Sequence, residues 1–251
     1  MYVWRIARAL GGRVLLRVED HDRLRSRPQY EDALFEDLEW LGFQPDIGPV
    51  RQSEEPQAYE EALRELAASH LVYACACSRR EIAVAAAVRA DSGGNDEVPY
   101  SGRCRARELA VTSGRGVRVE IGTGVERFVD AHLGPCEQTP AMQCGDLLLK
   151  DRDGFWTYQF AVTVDDRRQG VDLVIRGEDL LSSTGRQICL ARMLGRAEPP
   201  VFLHHDLLLD ADGKKLSKSR GDTGVRELRA KGFSASDVRE LVRQRGSGLT
   251  G

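Results

Sequence analysis

Val3, Ile6, Ala7 and Leu10 are spaced i, i+3, i+4, i+7, which predicts a helix that Gly11-Gly12 ends. Residues 13–18 (RVLLRV) then form an apolar run, read as a buried parallel strand that empties into the acidic loop Glu19, Asp20, His21, Asp22. Leu34, Phe35, Leu38 and Leu41 predict a second helix stopped at Gly42, and Tyr59, Leu63, Leu66 and Ala67 a third, followed by a strand at 71–74. Between residues 75 and 140 this regularity gives way to short strands, a Gly-rich stretch around 92–95 and polar loops, the pattern of an insertion. Beyond it a strand resumes at 145–150, a helix at 158–164, a strand at 171–175 that runs into Arg176, a helix at 184–194, and a strand at 201–209 before the turn Asp212-Gly213. Short helical patterns near 225–230 and 238–242 occupy the tail.

Strands separated by helices predict an α/β fold with a doubly wound, parallel sheet, whose ligand cleft lies beyond the carboxyl ends of the strands. A right-handed βαβ unit needs a strand before its first helix, so the first strand is expected to be missing ahead of Met1. The expected organisation is a nucleotide-binding body at 1–74, an inserted zinc-binding and RNA-contacting subdomain at 75–140, the rest of the body at 141–222, and a short helical tail at 223–251.

A hydrophobic fraction of 41% and a charged fraction of 30% suit an ordinary globular enzyme with a core large enough for a cleft. No apolar run reaches the roughly 18 residues of a membrane span, and Arg5 and Arg8 interrupt any secretory core, so the cytoplasm is the expected compartment. The six cysteines are too few for a disulfide scaffold in a chain of 251 residues and point to thiols or a metal site. The formal charge of -3 argues against a general nucleic-acid coat. From residue 214 to 251, however, ten Lys or Arg face four Asp or Glu, a local basic region suited to a polyanion.

The sharpest local signal is Lys215-Leu216-Ser217-Lys218-Ser219. Two ammonium groups on a short loop, with small hydroxyl residues that leave room, suit a triphosphate whose charge grows as pyrophosphate leaves. A solvated surface turn is the plainer alternative. Cys75-x-Cys77 and Tyr100-x-x-x-Cys104 offer three thiolates and a phenol, enough to close a tetrahedral zinc site; buried thiols with a packed tyrosine are the other reading. Glu19, just past a strand end, is placed to receive an amine, though such acidic loops also serve as solvated helix caps. His204 and His205 precede the lysine loop, one of them a candidate contact for adenosine or simply a satisfied structural histidine.

Together, RVEDHDR at 17–23, YQFAVTVDD at 158–166, GVDLVIRGEDLL at 170–181, LHHDLLL and KLSKS resemble the glutamyl branch of the class I aminoacyl-tRNA synthetases, in the family's order and over nearly the whole chain. The resemblance implies a Rossmann-like catalytic domain that binds glutamate through Glu19, Tyr158 and Arg176 and ATP, with Mg²⁺, through Lys215, Leu216, Ser217, Lys218 and Ser219. Lys215 and Lys218 would stabilise the transition state. Arginine suits the side-chain carboxylate because its planar donors meet both oxygens. The Cys75, Cys77, Tyr100, Cys104 quartet is similar to the structural Zn²⁺ site of the glutamyl-queuosine paralogues, and the short tail after Ser219 resembles them too. This implies a monomer that attaches glutamate to queuosine in the anticodon loop of tRNA(Asp). The family's N-terminal Pro-Ser-Pro-Thr-Gly strand and HIGH-like loop are not present, so impaired activity is expected. The rival expectations are a fragment of a synthetase that charges tRNA(Glu) and a noncatalytic tRNA-binding relative.

Overall fold

The computed structural model describes residues 1–21, 27–87, 98–209 and 224–245. By its contacts the chain forms two compact units: one of residues 1–52, 175–181 and 203–251, the other of residues 53–174 and 182–202.

In the first unit, α1 (Tyr2–Ala9) leads to β1 (Leu15–Val18), α2 (Pro28–Trp40) and β2 (Ile47–Arg51). Pro28 stands at the first position of α2, where its missing N–H costs nothing and its fixed φ suits the helix. β1 and β2 pair in parallel, so β1, α2 and β2 form a βαβ crossover, the connection a parallel pair needs. The pairing shifts register between Leu15 and Arg17, opposite Gly48. Gly48 has φ +96°, and a Cβ there would lie 2.4 Å from the Leu16 carbonyl oxygen, so the strands come this close only with glycine. β2 lies outside the elements expected from the sequence, because Gly48 and Pro49 interrupt its apolar pattern. Asp46 ties α1 to the start of β1: its carboxylate accepts from Arg8 Nη1 at 2.9 Å and from the Val14 amide at 2.7 Å. Helices α8 (Val225–Ala230) and α9 (Ala235–Arg245) belong to this unit, α9 extending both ways beyond its expected range.

The second unit holds α3 (Pro56–Ser69), β3 (Val72–Cys75), α4 (Arg79–Ala87), β4 (Gly116–Val119), β5 (Glu126–Asp130), β6 (Gly134–Gln138), α5 (Pro140–Cys144), β7 (Leu147–Lys150), α6 (Tyr158–Arg168) and α7 (Thr184–Met193). The chain passes between units within β8 (Leu173–Gly177) and β9 (Val201–His205). Its core gathers Tyr59 and Leu66 of α3, Val119, Leu149, Phe160 and Val164 of α6, and Leu190 and Leu194. Removing each such large apolar side chain from water is worth about 1.5–3 kcal/mol. Tyr59 satisfies its buried hydroxyl by donating to Asp165 Oδ2 at 2.9 Å.

The expectation of a parallel sheet holds only in part: the β1-β2 pair is parallel, the three-stranded sheet β3-β4-β7 is antiparallel, and the four-stranded sheet is mixed. β3 pairs antiparallel with β4, β4 with β7, and β5 with β6, whereas β5 pairs in parallel with β9. The larger sheet has the order β6-β5-β9-β8. The reason is local at β5 and β6, which are joined by a turn too short for a crossover. There Asp130 Oδ1 accepts from the amides of His132 and Leu133, each at 3.0 Å. Helix α4 is a second departure, standing where loops and short strands were expected. Ser78 and Glu81 cap it reciprocally: the Glu81 amide donates to Ser78 Oγ at 3.2 Å and the Ser78 amide to Glu81 Oε2 at 2.7 Å. The expected Gly-rich stretch at 92–95 lies outside the described residues. Among the described residues no helix is long and apolar enough to cross a membrane.

Candidate functional site

Cys75 ends β3, Cys77 follows two residues on, and Tyr100 and Cys104 return from the far side of α4. Their functional atoms converge. The three Sγ atoms lie within 4.8 Å of one another. Cys77 Sγ is 3.6 Å from Cys104 Sγ, and the Tyr100 hydroxyl oxygen is 3.3 Å from Cys75 Sγ and 3.9 Å from Cys77 Sγ. A tetrahedral zinc with arms of about 2.3 Å to sulfur and about 2.0 Å to oxygen has S–S edges of roughly 3.8 Å and S–O edges of roughly 3.5 Å. The donor set therefore fits such an ion in both chemistry and size.

Its surroundings hold the quartet in place. The Tyr100 amide donates to the Cys144 carbonyl at 2.9 Å, and the Cys104 amide donates to the Tyr100 hydroxyl oxygen at 2.9 Å. Gly145, at φ +64°, lies so close that a Cβ would sit 1.9 Å from the Tyr100 carbonyl oxygen. The Arg118 guanidinium lies over the Tyr100 ring, 3.9 Å from its centre, and its Nη1 donates to the Asp146 carbonyl at 2.7 Å. Asp146, 1% exposed, accepts two bonds of 2.7 Å from Arg105 and one from the Tyr73 hydroxyl. Burial, and then the bond to Asp146, raises the Tyr73 phenol above its ordinary value. Burial pushes the Cys104 thiol up, but bonds from Tyr100, the Ala76 backbone and the neighbouring thiols outweigh it and bring it down to about 6. Cys77 moves the other way, up to about 11, from burial and then its bond to Cys104.

The glutamate-site candidates are distributed differently. Glu19 follows the last residue of β1 and Arg176 is the penultimate residue of β8, both in the first unit and both at carboxyl ends of strands. Glu19 is exposed, with Oε1 3.7 Å from Arg17 Nη2. Arg176 is half-buried, and its Nε donates to Nε2 of His204 at 3.0 Å. Tyr158 is the first residue of α6, in the second unit. Beside it in sequence, Gln159 Nε2 donates to Ser183 Oγ and Gln187 Nε2 donates to Gln159 Oε1, each at 2.8 Å, a polar link between α6 and the start of α7. Lys215, Leu216, Ser217, Lys218 and Ser219 lie outside the described residues.

Two neighbouring histidines separate cleanly. His204 is fully buried, whereas His205 is half-buried and stacks on Tyr2 with ring centres 4.3 Å apart, as alternation along a strand requires. The bond from Arg176 to His204 is the contact sequence reasoning missed; a histidine on one apolar strand and an arginine ending another were its only trace. A cavity of about 640 Å³ between α1 and α9 is lined by Trp4, Phe43 and Arg239 among others, and among the described residues its lining includes none of the expected site residues.

Comparison with known proteins assigns this α/β body, with its charged strand ends and thiol cluster, to a class. The family model for the catalytic domain of class I tRNA synthetases (E and Q) matches residues 1–251, and the chain belongs to that family of ligases. The Glutamyl-Q tRNA(Asp) synthetase of Nitratidesulfovibrio vulgaris (strain Hildenborough) is 41% identical over 254 residues, covering 95% of this chain and 77% of the relative. The protein of the same name from Rhodobacter capsulatus is 40% identical over 252 residues, covering 94% of this chain and 90% of the relative. Among solved structures, a glutamate tRNA ligase from Elizabethkingia meningosepticum in complex with its amino acid is similar at a TM-score of 0.69 and 28% identity. That likeness covers 89% of this chain and 47% of the ligase, so the chain spans about half the ligase's length.

Proposed function

We propose that this protein activates glutamate with ATP and transfers it to queuosine in the anticodon loop of tRNA(Asp). In the first step a glutamate carboxylate oxygen attacks the α-phosphorus of ATP, the bond to the β-phosphate oxygen breaks, and glutamyl-adenylate and pyrophosphate result. In the second a hydroxyl of the queuosine cyclopentenediol attacks the glutamyl carbonyl and AMP leaves. Glu19 takes the α-ammonium group, Tyr158 lines the pocket and Arg176 takes the side-chain carboxylate. Lys215 and Lys218, with Leu216, Ser217 and Ser219 completing their loop, neutralise the charge that grows on the departing pyrophosphate, whose Mg²⁺ comes with ATP. Cys75, Cys77, Tyr100 and Cys104 hold a structural Zn²⁺ that staples the segment around α4. The enzyme acts as a monomer in the cytoplasm, and splayed bases and phosphates of the RNA loop meet its Arg and Lys side chains.

The observation that carries this reading is an arginine anchored at the end of β8, in a chain so like proteins named for glutamate. The test offers radiolabelled glutamate and ATP with purified tRNA(Asp), with and without queuosine, beside tRNA(Glu). Label should appear on the queuosine-containing tRNA(Asp) alone. Label on the acceptor end of tRNA(Glu) would instead establish a glutamyl-tRNA synthetase, and no label on any tRNA would count against the transfer.

A further inference from the structure

The contact between Arg176 and His204 fixes more than the position of an arginine. A guanidinium carries only donors, so the ring nitrogen facing Arg176 Nε at 3.0 Å must accept. The imidazole is therefore neutral, with its proton on Nδ1. His204 is fully buried in β9, the strand next to β8 in the sheet, and its ring has no solvent in which to turn away. Arg176, half-buried, stands where that sheet ends.

An arginine side chain has many rotamers, and a ligand that must first order it binds less tightly. A bond at Nε fixes the rotation of the guanidinium plane, and with it the direction of the Nη1 and Nη2 donors that meet a carboxylate side by side. The chemical nature of the acceptor also matters. A carboxylate at Nε would hold the arginine equally well but would add a negative charge beside the one the arginine is meant to receive. A neutral imidazole holds the group and contributes no charge of its own.

We propose that His204 is a positioning residue for the amino-acid side chain: it orients the Arg176 guanidinium toward the substrate's γ-carboxylate without offsetting its charge. The inference rests on Arg176 being the glutamate contact assigned above, and it predicts that His204 sharpens the choice of glutamate over glutamine.

The experiment uses the full chain and calorimetric titration with three probes: the glutamyl sulfamoyl-adenosine analogue, its glutaminyl counterpart, and AMP. His204→Leu should weaken the glutamyl probe about tenfold, the scale of one charge-assisted hydrogen bond, while AMP binding stays unchanged. Preference for the glutamyl over the glutaminyl probe should fall by a similar factor. His204→Gln, whose Oε1 accepts near where Nε2 does, should restore binding to within about threefold. The proposal is overturned by a His204→Leu variant that keeps wild-type affinity or preference for the glutamyl probe. It is also overturned by a Gln variant as weak as the Leu variant, or by an equal loss toward AMP, which would signal a general structural defect. Arg176→Ala separates the two levels of the argument. If that variant binds the glutamyl probe like wild type, or if the wild type does not bind it, the assignment of Arg176 fails and the role of His204 falls with it. If Arg176→Ala is weak while His204→Leu is not, only the positioning role is lost.

Discussion

The thiol cluster and the strand-end pair solve the problem of holding polar groups in opposite ways. Cys75, Cys77, Tyr100 and Cys104 come from one short stretch of chain, three of the four are buried, and they contact one another. Glu19 and Arg176 come from distant parts of the sequence, stand at the ends of separate strands, and are exposed and half-buried. On the proposed reading, the donors of a tightly bound ion are gathered and shielded before the ion arrives, since an ion that staples a segment contributes directly to folding. Groups that, on that reading, meet a substrate which enters and leaves stay near water, and Arg176 is braced by His204.

This contrast makes ranked predictions. The largest effect belongs to Cys104→Ser, which removes one of the three converging thiols. Zinc content by mass spectrometry should fall at least tenfold, and amide exchange around α4 should approach that of unfolded chain, because structural zinc sites carry on the order of 10 kcal/mol of folding free energy. Equal zinc content and exchange in the two proteins would remove the metal from the comparison.

Gly145→Ala sharpens the same point without touching a donor. A Cβ would collide with the Tyr100 carbonyl, and the residue has a backbone conformation that only glycine adopts readily. We expect a loss of about 3 kcal/mol in urea denaturation, the upper end for backbone strain, together with weaker zinc retention. Undiminished stability would show that Tyr100 is not held by this close approach.

Asp146→Asn probes the bracing beneath the cluster. Its carboxylate is buried, but Arg105 is 40% exposed and also reaches Glu120 at 2.8 Å, so it can turn to water and to that partner. The expected cost is about 2 kcal/mol, below the range for a fully buried pair. A neutral substitution here would mean that the Tyr73 and Arg105 bonds add nothing to the region's stability.

The smallest effect concerns the first unit. Bonds from Arg8 and then the Val14 amide hold the Asp46 carboxyl below its ordinary 3.8. A depressed native value contributes stability that is fully present above 3.8 and is lost as pH falls through the native value below it. Asp46→Asn should therefore melt slightly lower than wild type at neutral pH, and the difference should close as the pH drops below the carboxylate range. A gap that persists unchanged in acid would assign the effect to something other than this charge.

The elements legible from periodicity were those whose faces differ strongly. α1, α3, α7 and α8 stand where the apolar spacing places them, and α3 shows the reason most plainly, burying Ala58, Tyr59, Ala62 and Leu66 along one face and solvating the rest. α4 was not seen among the polar loops, although Ser78 and Glu81 carry the reciprocal cap that marks a helix start. β2 is hidden by Gly48 and Pro49, and the glycine makes sense only once the Leu16 carbonyl is known to lie against it.

By itself the sequence determined which chemistry the chain can offer: three thiols and a phenol at metal-site spacing, an acidic strand end, an arginine at another, and a lysine loop with hydroxyl neighbours. Spacing along a chain specifies local geometry, so the quartet was visible as a candidate metal site before any fold. Only the tertiary structure decided that one sheet is parallel, one antiparallel and one mixed, and that of two adjacent histidines the first turns inward to hold Arg176. Strand pairing and side-chain facing depend on which distant segments bury each other, and residues 176 and 204 become neighbours only when β8 and β9 lie side by side.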